Sequence, residues 1–351
     1  MMVNAPQITI SRTYARVFEA LDLRKNQSVA VKIIKVDPDE GMPPTAIREI
    51  SLLRNVHHVN IIKLLDVHHP PDEVILITEL CDTDLAQYIC SQKSVGRTHC
   101  HLALKDIKFI VYQILLAVAY LHQHKAKITH RDIKPQNILM NLRPDIHVKL
   151  ADFGLARDNT VKVYSEAFSS ELVTQWYRAP ELLLGKATKS MFGVDIWSIG
   201  CVMAELYTGK PLFPGRTEEA QLTIIAKKMG IFNEDAWPNI SSLPGYFPEL
   251  STFRRMDISY WVPQIRDSGK DVLRGLLQCP TRESAGNHLA SPWFDVGKYY
   301  PRLTMVNGQT AKKEQGDWGM SGSSISWIDR FQHEHVLGVF SKGDTEKLSS
   351  H

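Results

Sequence analysis

Cysteine is scarce in this sequence, and the five cysteines form no recognisable pattern. Their number is odd and no C-x-x-C pair occurs, which argues against a disulfide framework and a structural zinc site. No apolar run approaches the roughly 18 residues needed to cross a bilayer, and the first residues lack the basic and then apolar order of a secretory signal. We therefore expect a cytoplasmic or nuclear protein without a membrane partner.

Charge of one sign is not in excess either. Lys and Arg number 41 against 38 Asp and Glu, which leaves a net charge of +3. Chains that bind nucleic acid usually carry a clear basic excess, so we expect no nucleic acid partner. Hydrophobic residues make up 44% of the 351 residues and charged residues 23%, which excludes wholesale disorder and favours a globular protein with a sizeable core.

Secondary-structure signals divide the chain into a strand-rich beginning and a helical remainder. Three short runs rich in β-branched residues predict strands: 16–20, 28–36 and 74–78. Between them, a helix is predicted behind Pro43 and Pro44. From about residue 82 apolar residues recur at helical spacing, most clearly from Ile107 to Leu121. The chain is thus expected to form a small β-rich lobe followed by a larger helical one.

Four short motifs follow one another in a fixed order. They are Val29-Ala30-Val31-Lys32, His130-Arg131-Asp132-Ile133-Lys134-Pro135-Gln136-Asn137, Asp152-Phe153-Gly154 and Ala179-Pro180-Glu181. Each alone occurs by chance, but the ordered set resembles the signature of the protein kinase family. The stretch GMPPTAIREI, residues 41–50, is in addition similar to the cyclin-binding helix of cyclin-dependent kinases. The chain therefore resembles the proline-directed serine/threonine branch of that family over roughly residues 13–294.

The resemblance implies a two-lobed α+β kinase fold. A small antiparallel β lobe with one regulatory helix is expected over residues 1–81, and a larger, mainly α-helical lobe over 82–294. The connection between the lobes is expected near Glu79 to Asp82. The remaining residues, 295–351, are polar and Gly/Ser-punctuated, which predicts a flexible tail.

Phosphoryl transfer needs fixed positive charge and metal ligands more than covalent chemistry. The resemblance implies that Lys32, held by Glu49, anchors the α- and β-phosphates of ATP. It assigns Asn137 and Asp152 to Mg²⁺, which prefers carboxylate and amide oxygens. Taken singly, Lys32 and Glu49 equally suit an ordinary surface ion pair, and Asp152 suits a helix cap.

The resemblance also assigns the groups that act on the protein substrate. Asp132 is the base that receives the proton of the substrate hydroxyl, and Lys134 steadies the transferring phosphoryl. Thr174 and Lys134 favour serine or threonine over tyrosine as the acceptor. The loop from Val173 to Arg178 resembles the one that selects proline after the acceptor, so Ser-Pro or Thr-Pro substrates are expected.

The nucleotide pocket follows from the same comparison. Thr78 falls at the gatekeeper position, where it is smaller than the phenylalanine common in this branch, and Glu79 and Cys81 present backbone groups to adenine. The residues expected to complete the ATP site are Ile10, Val17 and Ala30. Cys81 is expected to be a small apolar side chain and not a reactive thiol.

Glycine is missing where the resemblance requires it most. The loop that covers the phosphates should contain three glycines, yet residues 10–17 read ISRTYARV. Glycine there lets backbone amides approach the phosphates. Three alternatives follow: an active enzyme, because the metal and proton-transfer residues are present; a weak or inactive cyclin-binding scaffold; or a misassigned start of the chain.

Regulation is implied at two kinds of position. A cyclin-like partner is expected at the helix from Pro44 to Glu49. Ser169, with Ser170 as its neighbour and competitor, falls at the place of the activating phosphate, which three arginines would receive: Arg48, Arg131 and Arg157. Thr13 and Tyr14 match a pair at which phosphorylation inhibits members of this branch.

Overall fold

The computed structural model describes five stretches of the chain: residues 7–12, 15–92, 102–159, 175–185 and 192–294. All of them belong to one compact unit, Met1–Tyr299. The tail predicted from residue 295 lies outside the described residues, and the predicted boundaries after residues 81 and 294 stay predictions.

An antiparallel sheet of five strands forms the first part of the fold. The strands are β1 (Gln7–Arg12), β2 (Ala15–Asp22), β3 (Gln27–Lys35), β4 (Leu64–His68) and β5 (Glu73–Glu79), and their order across the sheet is β1-β2-β3-β5-β4. The strands predicted near 16–20, 28–36 and 74–78 are confirmed as β2, β3 and β5. The first and fourth strands were not among the sequence predictions.

One helix, α1 (Pro44–Asn55), packs against this sheet, as predicted. Pro44 occupies its first turn, where the missing N–H would have had no helical partner. Its buried residues are Ala46, Glu49, Ile50 and Leu53, which share one stripe of the helix. The helix therefore turns a mostly apolar stripe with one carboxylate towards the sheet.

The two faces of β3 have separate apolar cores. Val29 and Val31 pack with Ile77 on one face, whereas Ile34 packs with Ala46 of α1 on the other. Because side chains of a strand alternate between faces, Lys32 lies on the same face as Ile34. The sheet thus directs this lysine towards the helix.

The rest of the described chain is mainly helical. Its helices are α2 (Leu85–Ser91), α3 (Leu104–Gln123), α4 (Pro180–Leu183), α5 (Phe192–Thr208), α6 (Glu218–Met229), α7 (Asp267–Leu276) and α8 (Ala285–Leu289). Short strands connect the helices: β6 (Thr83–Asp84), β7 (Ile128–Thr129), β8 (Ile138–Asn141), β9 (His147–Leu150) and β10 (Arg157–Asp158). The architecture is the expected α+β fold, with a small antiparallel β lobe and a larger, mainly helical lobe.

Helix α5 forms the centre of the helical lobe. Every residue from Val194 to Tyr207 is buried, as expected for a helix that is apolar almost all round. The periodic run from Ile107 to Leu121 is confirmed as α3, which packs against α5 and α8. In the described part of the chain, no helix has both the length and the apolar character that crossing a membrane requires.

The connection between the lobes is short and anchored. β5 ends at Glu79 and β6 begins at Thr83, so the chain crosses within the predicted stretch. The Asp82 amide donates to Oδ1 of Asn141 at 3.3 Å, and the Asp82 carboxylate accepts from the Leu142 amide at 2.8 Å. These two bonds attach the connection to the end of β8.

The segment between α1 and β4 is fixed to the helical lobe by two fully buried amide side chains. Asn60 Nδ2 donates to Oε1 of Gln113 and to the carbonyl of Val148, each at 2.9 Å. Oε1 of Gln113 also accepts from the Val148 amide at 2.9 Å. Both side chains are completely buried, and buried polar groups stabilise a fold only when such partners are present.

His58 lies in the same segment and makes stability depend on pH. Its ring stacks on Tyr120 with centroids 5.0 Å apart, and its Nδ1 accepts from the Asn60 amide at 3.1 Å. Burial, with a smaller contribution from Lys149, lowers the pKa of His58 from 6.5 to about 4. The unfolded chain therefore binds the proton more readily. The contribution of the neutral His58 to stability is fully present above pH 6.5 and is lost as the pH drops from 6.5 to about 4.

Between pH 7 and pH 4 the free energy of unfolding of His58→Asn should fall by about 3 kcal/mol less than that of the wild type. Urea denaturation at several pH values measures it. His69→Asn, at an exposed histidine, is the matched control and should leave the profile unchanged. Wild-type pH dependence in the His58 variant would contradict the assignment.

Candidate active site

An ion pair joins β3 to α1 beneath the sheet. Lys32 Nζ is 2.7 Å from Oε2 of Glu49, and their side chains are 22% and 7% exposed. The pair forms because Lys32 and Glu49 both face the junction at which Ile34 meets Ala46 and Ile50. A lysine held in this way keeps its charge and its direction, which suits the binding of phosphate.

The loop after β7 is attached to α5 by one buried carboxylate. Asp195 is 0% exposed, and its oxygens accept from the backbone amides of His130 at 2.9 Å and Arg131 at 2.8 Å. Arg131 has a φ of 69°, a left-handed conformation that disfavours most side chains. The two bonds to Asp195 stabilise this conformation.

His122, at the end of α3, completes the support of this loop. Its Nε2 lies 2.9 Å from Oδ2 of Asp195, and its ring stacks on Phe192 with centroids 4.4 Å apart. The sequence analysis missed His122, because a single histidine at a helix end has no distinguishing pattern. Only its contact in the folded chain identifies it, because its partner Asp195 lies 73 residues further along the sequence.

Asp132 is the centre of a compact polar cluster on this loop. Lys134 Nζ donates to its two carboxylate oxygens at 2.9 and 2.8 Å. Nδ2 of Asn137 donates to Oδ2 at 2.7 Å and to the backbone carbonyl of Asp132 at 2.9 Å. The Asp132 side chain is 13% exposed, so it is both oriented and accessible.

Asp152 is a second carboxylate close to Lys32. Its Oδ1 lies 3.5 Å from Lys32 Nζ, and its backbone is left-handed, with φ 68° and ψ 76°. The next residue, Phe153, is fully buried, with its ring edge against His130 at a centroid distance of 4.8 Å. Burial lowers the pKa of His130, so this ring packs in its neutral form. The buried pair fixes the direction in which the Asp152 carboxylate points.

The family model of the protein kinase domain matches residues 12–294. The match covers most of the chain and includes every residue of the candidate site described above. The chain belongs to the protein kinase family. Kinases of this fold use ATP and a divalent metal ion in general.

The residues present fit such a metal ion. Asp152 offers a carboxylate and Asn137 a side-chain amide oxygen, while Nδ2 of Asn137 donates two bonds to Asp132 and so orients the amide. In the described ranges no group of three or more histidine, cysteine or acidic side chains forms a metal cage. Two oxygen ligands completed by phosphate oxygens are the arrangement typical of a hard ion such as Mg²⁺.

The predicted adenine end of the kinase site lies on β3, β5 and the connection. Ala30 pairs with Thr78 across β3 and β5, and Val17 pairs with Lys32 across β2 and β3. Oγ1 of Thr78 donates to the carbonyl of Glu79 at 3.2 Å, while the Glu79 amide donates to Lys63.

Cys81, at the same connection, is not an activated thiol. Burial, followed by the nearby Glu79 carboxylate, raises the pKa of the thiol to about 12. The thiolate is the nucleophilic form of cysteine, so this group is unreactive at neutral pH. The expected role of Cys81 as a small apolar side chain agrees with this shift.

The strands on the two sides of the glycine-free loop still pair as a β hairpin. Ser11 pairs with Arg16 and Arg12 with Ala15, while the register shifts between Ile8 and Ile10. The backbone of Ile10 therefore belongs to β1, and that of Val17 to β2. Thr13 and Tyr14 lie outside the described residues.

The three arginines predicted to receive an activating phosphate occupy different elements. Arg48, on α1, donates from Nη1 to the carbonyl of Gly154 at 2.7 Å. Arg131 lies on the loop beside Asp132, and Arg157 lies in β10, where it pairs with Thr129. The predicted phosphoacceptor Ser169, its neighbour Ser170 and the substrate-loop residue Thr174 are outside the described part of the kinase.

Two buried contacts hold the segment that follows the substrate loop. Glu181 binds Arg282 through both Nη nitrogens of the guanidinium group, with Nη2 to Oε2 at 3.0 Å. The hydroxyl of Tyr177 donates to Oε2 of Glu205 on α5 at 2.6 Å. The sequence analysis places Tyr177 in the substrate loop but does not predict this bond, because its partner is 28 residues away.

Proposed function

We propose that this kinase transfers the γ-phosphoryl group of Mg-ATP to serine or threonine residues that precede proline. The observation that carries the proposal is the cluster at Asp132, in which Lys134 and Asn137 both contact the carboxylate. A carboxylate fixed in this way is available to accept a proton from a substrate hydroxyl. The contact with Lys134, the residue predicted for serine and threonine kinases, supports that choice of acceptor.

The reaction is one in-line displacement. The substrate oxygen forms a bond to the γ-phosphorus, its proton passes to Asp132, and the bond from phosphorus to the β–γ bridging oxygen of ATP breaks, releasing ADP. Lys32, oriented by Glu49, binds the α- and β-phosphates. Asp152 and Asn137 would hold Mg²⁺, which when bound would neutralise charge on the phosphates.

Control by a cyclin-like partner is part of the proposal. Helix α1 buries one stripe against the sheet, whereas Ile47 on another side of the helix is 52% exposed. The same helix carries Glu49 of the ion pair and Arg48 on the Gly154 carbonyl. A partner on α1 would therefore act directly on both, and phosphorylation of Ser169 would act through the arginines. The proposal includes a cytoplasmic or nuclear location for this kinase.

A catalytically weak scaffold is the second candidate, favoured by the missing glycines alone. It would bind the same partner through α1 without transferring phosphate. Binding of a cyclin therefore does not distinguish the two functions, whereas nucleotide binding and phosphoryl transfer do.

We expect Mg-ATP to raise the melting temperature of the purified kinase, because a ligand that binds only the folded state stabilises it. The gain is about 2.7 kcal/mol at a hundred times the dissociation constant. Asp152→Asn should lose the magnesium-dependent part of the rise. Asp145→Asn, at an exposed aspartate, is the matched control.

The second measurement is phosphate transfer to a Ser-Pro peptide, with and without a cyclin. A Ser-Ala peptide is the control for proline selection. Binding of ATP without any transfer, even with a cyclin present, would select the scaffold. No thermal shift at millimolar ATP would contradict the kinase proposal altogether.

A further inference from the structure

Four cationic side chains lie together at the end of α6, outside the candidate active site. Lys227 and Lys228 belong to the last turn of the helix, and Arg254 and Arg255 follow in a segment that crosses its end. The amide of Met256 donates to the carbonyl of Lys228 at 3.1 Å, which joins the two segments. We call these four residues the basic strip.

Gly230 makes this crossing possible. It ends α6 with a left-handed φ of 56°, and a Cβ atom placed there would lie 2.1 Å from the backbone nitrogen of Arg255. Only glycine permits so close an approach of two backbones. The two arginines are therefore fixed beside the two lysines by main-chain packing and not by mobile side chains.

Aromatic rings restrict the two lysines of the strip. Lys227 Nζ lies 5.7 Å from the ring centroid of Phe253, and Lys228 Nζ lies 5.9 Å from that of Trp261. Such cation–π contacts hold the long side chains over the rings. Binding of a ligand would then cost less side-chain entropy of the lysines than it would if they rotated freely.

No described carboxylate neutralises the basic strip. Within the described ranges, none of its four members forms a salt bridge, and the nearest acidic residue in sequence, Asp257, pairs with Arg274 instead. The negative end of the α6 dipole accounts for two lysines in its last turn. It does not account for the two exposed arginines that cross beyond it.

Two exposed apolar side chains continue the same surface. Met256 follows Arg255 directly and is 42% exposed, and Tyr260 is 78% exposed. Large exposed tyrosine and methionine side chains beside arginine are the residue types enriched in protein interfaces. The surface thus combines unneutralised positive charge with apolar contact area.

We propose that the basic strip, together with Met256 and Tyr260, docks an acidic peptide segment of a protein partner. The negative charge of such a segment complements the four cations, and its apolar side chains complement the other two residues. Asp257, which follows the strip in sequence, would oppose the continuous charge of a nucleic acid, whereas a peptide can place its carboxylates away from it. This docking is separate from phosphoryl transfer.

The test is fluorescence anisotropy with the full chain and a fluorescein-labelled peptide in which glutamates alternate with alanines and leucines. We expect binding that weakens with added salt, and a loss of about tenfold or more in affinity for R254E/R255E. The matched control is R24E/K25E at the exposed turn between β2 and β3, which should bind as the wild type does. Tyr260→Ser should weaken binding by a smaller factor.

Several results would overturn the proposal. They are absence of binding at low salt, equal binding of a peptide with glutamine at every glutamate, and equal loss in both charge-reversal variants. Tighter binding of a single-stranded oligonucleotide than of the peptide would assign the surface to nucleic acid instead. If R254E/R255E does not fold, R254Q/R255Q should still reduce affinity by at least threefold. Transfer to a short Ser-Pro peptide should be the same in all folded variants.

Discussion

Asp132→Asn lowers kcat for a Ser-Pro peptide by about 10³-fold, since general-base catalysis contributes about 10²- to 10⁴-fold. The amide cannot take up the proton of the substrate hydroxyl. Its NH₂ group would also face Lys134 Nζ and Asn137 Nδ2, two hydrogen-bond donors that contact a carboxylate oxygen in the wild type. Initial rates at saturating ATP measure the change.

Nucleotide binding should survive this substitution, because Asp132 is assigned to the substrate hydroxyl and not to the phosphates. The thermal shift with Mg-ATP should therefore stay close to that of the wild type. Asp235→Asn, at an exposed aspartate, controls for the loss of a charge and should not alter kcat. A kcat for Asp132→Asn near the wild-type value would remove this residue from the proposed mechanism.

Glu181→Ala reduces the free energy of unfolding by about 3 to 5 kcal/mol, the usual effect of breaking a buried ion pair. The Arg282 side chain is 1% exposed, so its charge would stay buried without the carboxylate. Its remaining contacts are the Gly193 carbonyl at 3.2 Å, Sγ of Cys279 at 3.0 Å and the ring of Trp197. None of them carries a full negative charge. Chemical denaturation measures the difference.

Two further variants separate the ion pair from simple truncation. Asp271→Ala removes one of the two acidic partners of Arg274 at the surface, where such a pair is worth about 0.5 kcal/mol or less. The double variant Glu181→Leu and Arg282→Met removes both buried charges and should be less destabilised than Glu181→Ala. If the double variant is the less stable one, the stranded charge is not the cause.

The sequence predicted the site best where a local motif and a periodic element coincide. Lys32 lies in a β-branched strand and Glu49 in a helix whose apolar stripe is visible in the sequence, so both could be assigned to facing surfaces. Nothing in the local sequence assigns Asp195 to the catalytic loop. The bonds that it makes join residues more than 60 positions apart, and no local pattern encodes them.

The missed features have two different causes. Asn60 and Gln113 are completely buried polar residues, a state that composition does not predict and that only a specific distant partner permits. β1 was missed because residues 10–17 were interpreted through the absent glycines, although the alternation of Ile8 and Ile10 with polar residues favours a strand. The missing glycines concern the approach to phosphate, and the strand pairing on both sides of the turn does not depend on them.

The attachment of the catalytic loop to α5 has a consequence for turnover. Asp195 ties the backbone at His130 and Arg131 to the most deeply buried helix, whereas Lys32 belongs to the sheet on the other side of the short connection. Bending at residues 80–82 would change the distance from Lys32 to the metal ligands and leave Asp132, Lys134 and Asn137 as one rigid group. Such bending would let the kinase exchange ADP for ATP without rebuilding the proposed proton acceptor in each cycle.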